Sequence, residues 1–200
     1  MTGKTHEANE TTKRTPVVNR KFKDTVFRML FSDKEALLSL YNAVNNSHYT
    51  DSCALEIVTL ENAIYMGMKN DLAFILDMNL YLYEHQSTMN PNIPLRDLFY
   101  IAAEYQKLVD KKSLYSSALQ KIPNPHFIVF YNGSTPIDDC YTSRLSDAFY
   151  HVTDNPSLEL IVTTFNVNAG HNTKLMSHCQ ILKEYSIYVA KVRSFTEQMP

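Results

Sequence analysis

The chain has 200 residues, 44% hydrophobic and 20% charged, which is enough for one domain with its own core. It has no apolar run of transmembrane length, and residues 1–16 lack the apolar segment of a secretion signal, so we expect a cytoplasmic protein without membrane contact. The three cysteines are far apart and form no CxxC pair, which argues against a disulfide framework or zinc ribbon and predicts small buried side chains.

Charge is unevenly distributed along the chain. The formal net charge of −2 gives no general attraction for nucleic acid. Residues 1–34 nevertheless carry eight basic against four acidic residues, a local charge of +4, which leaves −6 for the remainder. A basic arm beside an acidic body suits a protein that holds phosphates and a metal, but a disordered tail explains the same charge more simply. We predict a disordered tail over residues 1–19 and one domain over residues 20–200.

The domain is predicted to begin with two helices and three strands. Apolar residues recur at helical spacing over residues 22–31, and Ser32 to Glu35 has the pattern of a capping box that starts a second helix. Short strands are predicted over residues 55–60, 72–78 and 80–86. Asn62 and Gly67 supply turn residues after the first, and a tight turn over residues 77–79 joins the other two. The apolar face of the second helix carries Leu37, Leu38, Tyr41 and Val44.

A helix, two strands and a final helix complete the predicted order. Pro94 marks the start of the first of these helices. The continuous apolar runs over residues 126–131 and 158–165 indicate buried central strands. This order predicts an α/β fold with a mixed central β-sheet flanked by helices. The expected buried stripes are Leu95, Leu98, Phe99, Ala102, Tyr105 and Leu108 in the first helix, and Leu175, Cys179, Leu182, Tyr185, Val189 and Val192 in the last.

Polar residues end the third predicted strand. Glu84 and Gln86 would face the same way as two leucines, whereas His85 would face the opposite way. A carboxylate and an amide at the end of an apolar face are costly to bury unless they are used or open to water. Asp71 begins the preceding strand, and a hairpin that turns near Asn79 brings it back beside the end of the third strand. Two carboxylates that meet at a sheet edge can bind Mg²⁺, which prefers oxygen ligands.

These residues also have simpler explanations. Asp71 follows an asparagine and could be a turn residue ahead of a strand. Glu84 and Gln86 could form a solvated strand end. Arg96 and Asp97 could form a surface pair in the first turn of their helix, although Arg96 could also reach a phosphate.

Longer stretches of the sequence resemble a known family. Residues 83–103 (YEHQSTMNPNIPLRDLFYIAA) and residues 24–33 (DTVFRMLFSD) are similar to the Rpn family of recombination-promoting nucleases and transposase-like proteins. That family belongs to the PD-(D/E)XK nuclease superfamily. Asp71, followed after twelve residues by Glu84-His85-Gln86, resembles the D…(D/E)XK signature of the superfamily. The resemblance extends from about Lys21 to the last helix and implies a restriction-endonuclease-like PD-(D/E)XK core.

The resemblance implies a role for each motif residue. Asp71 and Glu84 would be the ligands of Mg²⁺, with Mn²⁺ as the expected substitute. Gln86 stands where the superfamily most often has a Lys that orients the attacking water or contacts the scissile phosphate, and an amide brings no positive charge to that place. Asp24 stands where related nucleases sometimes place a further acid, although near a helix N-terminus it could act through the helix dipole instead. Arg96 and Asp24 are the candidate substrate contacts.

Three functions are compatible with this sequence. The first is a metal-dependent DNA endonuclease, which the retained Asp71 and Glu84 favour. The second is a catalytically silent PD-(D/E)XK scaffold that binds DNA or a protein partner, which Gln86 and the acidic body favour. The third is an interaction module that shares only the scaffold. We expect DNA as the partner and leave a homodimer open.

Overall fold

A computed structural model describes residues 22–58 and 72–198 of the chain. The predicted tail over residues 1–19 lies outside these residues, as do Asp71 and the predicted turn residues Asn62 and Gly67. No helix in the described part is both long enough and apolar enough to span a membrane.

The described residues form two helices, three strands, a third helix, three more strands and two final helices. The helices are α1 (Phe22–Phe31), α2 (Lys34–Asn45), α3 (Ile93–Leu108), α4 (Thr173–His178) and α5 (Gln180–Glu197). The strands are β1 (Glu56–Ile57), β2 (Leu72–Leu76), β3 (Asn79–Gln86), β4 (Asn124–Tyr131), β5 (Cys140–Arg144) and β6 (Ile161–Asn166). Short 3₁₀ turns lie at Ser52–Ala54, Ser113–Tyr115 and Leu145–Ala148.

The strands form one mixed sheet in the order β1-β2-β3-β4-β6-β5. The central strands β3, β4 and β6 are parallel, and the outer pairs are antiparallel. The parallel register of β3 and β4 runs from Asn79 opposite Asn124 to Gln86 opposite Tyr131. The protein is therefore a mixed α/β domain with a six-stranded sheet flanked by helices, which confirms the predicted fold class at this level.

Each face of the sheet covers its own core. Since side chains alternate along β3, Tyr81 and Tyr83 pack against the side of the sheet that α1, α2 and α5 cover. Leu80 and Leu82 pack on the other side, beneath α3. Full burial of a leucine stabilises the folded protein by about 2 kcal/mol. Because alternate side chains of β3 enter opposite cores, both cores depend on the pleat of this strand.

The observed structure corrects several predictions about the helices, strands and cysteines. The N-cap of α2 is Asp33, whose carboxylate accepts the Ala36 N–H at 3.0 Å, whereas Ser32 bonds back to Met29 O. The predicted last helix is two helices, because Cys179 adopts an extended conformation between α4 and α5. Strand β5 was not predicted, because its side chains are mostly exposed and carry no apolar pattern. Two of the three cysteines, Cys53 and Cys140, are exposed and not buried.

The buried side of α3 is not the predicted stripe. Leu95 and Phe99 are 38% and 54% exposed. Apolar residues lie on two sides of this helix, so periodicity alone did not identify the buried one. Two acidic residues lie on the inward side, where the pattern predicted none. The buried residues are Ile93, Pro94, Asp97, Tyr100, Ile101 and Glu104.

The turn between β2 and β3 is shorter than predicted. Leu76 pairs with Asn79, so that Asp77 and Met78 are the two central residues. Both have positive φ, 49° and 60°. Such a turn matches the twist of a hairpin but is unfavourable for residues with a Cβ atom.

We expect Met78→Gly to stabilise the protein by about 1 kcal/mol, because glycine adopts positive φ without the steric penalty. Met78 is 83% exposed, so the substitution removes little packing. Urea denaturation monitored by circular dichroism measures the change. Met78→Ala is the control and should give no such gain; equal stability of the two variants would contradict the argument.

Candidate functional site

The strand end that the sequence singled out lies at the centre of the sheet. Glu84 pairs with Val129 and Gln86 with Tyr131 on the parallel neighbour β4. The crevice outside the carboxyl ends of parallel strands is where open α/β sheets bind ligands. Glu84 and Gln86 thus lie at the carboxyl end of β3, where such sheets bind ligands, and on the face that α3 covers.

The two carboxylate oxygens of Glu84 have different environments. Glu84 is 7% exposed. Its Oε1 accepts a hydrogen bond from Arg96 Nη2 at 2.8 Å and another from Gln86 Nε2 at 3.0 Å. Its Oε2 is buried and has no hydrogen-bond partner among the residues that the structure describes. A buried carboxylate oxygen without a donor is costly, so Oε2 has the most to gain from a cation or a proton.

Arg96 connects this carboxylate to α3. Its Nη2 also lies 3.4 Å from the hydroxyl of Tyr100, one helical turn further on. Burial lowers the pKa of Arg96, but the charge of Glu84 and the hydrogen bonds outweigh this effect, so the pKa is raised overall. Arg96 is therefore a fixed cation, and its side chain remains 24% exposed. A solvent-accessible guanidinium in this position can contact a phosphate.

Asp97 is a second acid of the same site. It is only 3% exposed, on the inward side of α3. Burial, and then repulsion from Glu84, raise the pKa of Asp97 well above its usual range, against a smaller opposing effect of Arg96. The predicted surface pair of Arg96 and Asp97 is therefore wrong, because Arg96 bonds to Glu84 and Asp97 is buried.

A hard divalent cation fits the chemistry of this site. The available donor groups are oxygens, which Mg²⁺ and Mn²⁺ prefer, and Glu84 Oε2 is a buried oxygen without a hydrogen-bond donor in the described part. Within residues 22–58 and 72–198, no group of three or more His, Cys, Asp or Glu is arranged to hold a metal. Asp71, the other predicted ligand, lies outside that part of the chain.

The structure separates Asp24 from Glu84. Asp24 Oδ1 lies 2.8 Å from Nδ1 of His85, whose side chain is fully buried. Because His85 and Glu84 are successive residues of a strand, their side chains point to opposite faces of the sheet. Asp24 therefore belongs to the α1 face, whereas Glu84, Gln86 and Arg96 belong to the α3 face.

A buried hydrogen-bonded chain occupies the α1 face behind the site. His85 Nε2 lies 2.8 Å from the Tyr185 hydroxyl, which also accepts from Asn132 Nδ2 at 2.8 Å. The Tyr185 hydroxyl further lies 3.4 Å from Lys23 O. These contacts tie α1 and α5 to the end of β3. They hold the strand that carries Glu84 in place.

Sequence reasoning named Glu84, Gln86 and Arg96, whose side chains the structure brings together, but it missed two features. It missed the burial of Asp97 because hydrophobic periodicity assigns a charged residue to the solvent side. It missed the partners of His85 because they lie 61 and 100 residues away along the chain. The sequence feature that could have revealed the buried contacts of His85 was its inward-facing position on a strand predicted to be buried.

Comparison with known proteins adds no assignment. No protein-family model matches the chain, and no match was found among curated proteins.

We expect Tyr185→Phe to destabilise the protein by about 1–3 kcal/mol, because it removes the hydroxyl to which buried polar groups of His85 and Asn132 are hydrogen-bonded. Urea denaturation measures the change. The matched control is Tyr150→Phe, at a fully exposed tyrosine, which should change stability by less than about 0.5 kcal/mol. Equal effects of the two substitutions would show that the buried chain contributes nothing.

Proposed function

We propose that this protein is a metal-dependent DNA endonuclease with a PD-(D/E)XK-like core, of the kind that the Rpn resemblance implies. The observation that carries the proposal is Glu84, a buried carboxylate at the end of a central strand with one oxygen lacking a hydrogen-bond donor in the described residues. Next to it lie a fixed cation, Arg96, and an amide, Gln86.

The role of Asp71 rests on the sequence. Leu72 pairs with Tyr83 at the last described step of the β2–β3 ladder, and Asp71, the preceding residue, lies outside the described residues. The Rpn resemblance is what supports Asp71 as a second ligand of the cation.

Each residue of the site would have a separate role in phosphodiester hydrolysis. A bound Mg²⁺ or Mn²⁺ would activate a water and stabilise charge on the phosphate. Asp71 and Glu84 would hold the cation. Arg96, which already lies beside Glu84, would contact a phosphate oxygen of the DNA through its exposed edge.

Gln86 would orient the attacking water. Its amide nitrogen donates to Glu84 Oε1, which fixes the side chain beside the carboxylate. An amide can hold a water through a hydrogen bond but adds no charge to stabilise the transition state. We therefore expect Gln86→Lys to retain or raise the cleavage rate, measured with Mg²⁺ present on supercoiled, linear and single-stranded DNA.

We expect DNA cleavage to require Mg²⁺ or Mn²⁺, to stop with EDTA, and to fall by about 100-fold or more in Asp71→Asn and Glu84→Gln. Loss of a ligand removes both the charge of the metal and its oriented water. The measurement is the initial rate of nicking of supercoiled DNA by the purified chain.

Glu56→Gln, at an exposed position on β1, is the matched control and should leave the rate unchanged. Cleavage that persists in Asp71→Asn would point to a contaminant or to another site. Absence of metal-dependent cleavage on all three DNA forms would refute the endonuclease proposal.

A second function, a silent scaffold that binds DNA, has an observation in its favour. The charge of Glu84 is already matched by Arg96, and Gln86 stands where the superfamily that the sequence resembles most often has a lysine. A silent scaffold would bind DNA through phosphate contacts, so binding would weaken as salt rises. Salt-dependent binding without cleavage, measured by fluorescence anisotropy, would favour this alternative.

A further inference from the structure

We propose that a cleft between the loop after β6, the short helix α4 and the start of α5 binds a phosphate group through Lys183, Ser186 and His171. These residues have no part in the candidate cation site at Glu84. That the phosphate belongs to DNA rests on the proposed function, whereas phosphate binding itself does not.

The cleft lies at the same edge of the sheet as Glu84. Strand β6 is parallel to β3 and β4, so that Asn166 at its carboxyl end lies beside Tyr131 and Gln86 at the ends of those strands. The loop that follows β6 forms one wall of the cleft, and the first part of α5 forms another. Open α/β sheets bind ligands in the crevice at this edge.

The size of the cleft suits a small group. Its volume is about 290 Å³. Sites that enclose drug-sized ligands have volumes of about 300–1,000 Å³, so this cleft is at the lower limit. A phosphate group fits such a volume, and a sugar and base attached to it would remain outside.

The first support is the hydroxyl of Ser186 on the α5 wall. Ser186 is only 5% exposed. Ser177 and Ser194 donate to carbonyl oxygens of their own helices, whereas the Ser186 hydroxyl has no hydrogen-bond partner in the described part of the chain. It is not among the fully enclosed atoms without a partner, so it opens to the cleft. A nearly buried hydroxyl without a partner is unfavourable, and a ligand oxygen in the cleft would accept its hydrogen bond.

The second support is the charge of the cleft. Lys183 lies one helical turn before Ser186 on the same wall, and it forms no ion pair with any residue that the structure describes. Thr173, at the start of α4, adds a second hydroxyl. None of the described residues that line the cleft is acidic. An ammonium group beside hydroxyl donors, without a carboxylate, favours an oxyanion over a cation.

The third support is the fixed position of His171 on the loop wall. Its Nδ1 lies 2.6 Å from Asp139 Oδ1, and Asp139 Oδ2 accepts the Asn172 N–H at 3.3 Å. Asp139 thus orients the imidazole ring and leaves Nε2, the other ring nitrogen, for a contact with a ligand. His171 is therefore held in place before any ligand binds.

DNA is the source of phosphate that the proposed function implies. Neighbouring strands are about 4.8 Å apart, so the end of β6 lies about 10 Å from the end of β3, two strands away. Each strand of DNA carries one phosphate per 3.4 Å or so of helix axis. A DNA strand bound at Glu84 would therefore bring another of its phosphates to the cleft.

The test uses the full chain in EDTA, so that the cation site plays no part. Fluorescence anisotropy measures binding of a short labelled duplex. The rise in melting temperature in sodium phosphate, compared with sodium chloride of equal ionic strength, measures binding of inorganic phosphate. We expect Lys183→Gln and Ser186→Ala each to weaken DNA binding by about 3- to 10-fold and to reduce the rise in melting temperature.

The controls separate phosphate binding from stability and from general charge. Ser186→Ala should not lower the melting temperature in sodium chloride, because its hydroxyl has no partner in the described protein. Lys191→Gln and Ser194→Ala change exposed residues of α5 outside the cleft and should leave both kinds of binding unchanged. A loss in Lys191→Gln as large as that in Lys183→Gln would show a general charge effect and would overturn the assignment.

The outcomes distinguish this inference from the proposed function. If Lys183→Gln and Ser186→Ala bind phosphate and DNA as well as the unchanged protein does, the cleft is refuted and the endonuclease proposal stands. If both variants lose phosphate binding but keep DNA binding, the cleft binds a free phosphate ligand and its assignment to DNA is wrong. If the unchanged protein binds phosphate through these residues but never cleaves DNA, the cleft stands and the endonuclease proposal fails.

Discussion

Strand β3 is paired on both sides, so each of its side chains must point to one of two covered faces. This constraint places Glu84 beneath α3 and His85 against α1 and α5. The two successive residues therefore serve different purposes. His85 ties the helices of one face to the strand end, and Glu84 presents a carboxylate to the other face.

The two carboxylate oxygens of Glu84 have different environments because Glu84 lies beneath α3 at the end of β3. Arg96 and Gln86 both bond to Oε1, which fixes the plane of the carboxylate and leaves Oε2 buried without a hydrogen-bond donor among the described residues. Burying acids in this way lowers the stability of the folded protein. Proteins keep such destabilising groups at sites where a bound ligand compensates for them. On this ground we propose that the end of β3 binds a cation.

The sequence predicted the local pattern well and the long-range contacts poorly. Alternation along residues 80–86 identified both faces of β3, and turn chemistry located the hairpin to within one residue. Periodicity failed for α3, because its inward side carries the buried acids Asp97 and Glu104, which a hydrophobic pattern assigns to the solvent side. Strand β5 was missed for a similar reason. It is exposed and is held by pairing with β6, not by an apolar pattern of its own.

The central claim is that Glu84 Oε2 is a ligand of a divalent cation. Its most direct test is an anomalous difference map from crystals of the full chain soaked in MnCl₂. The account predicts a peak about 2.1 Å from Glu84 Oε2, on the side of the carboxylate away from Arg96. A well-ordered Glu84 with no peak beside it at saturating Mn²⁺, or peaks only elsewhere on the protein, would contradict it.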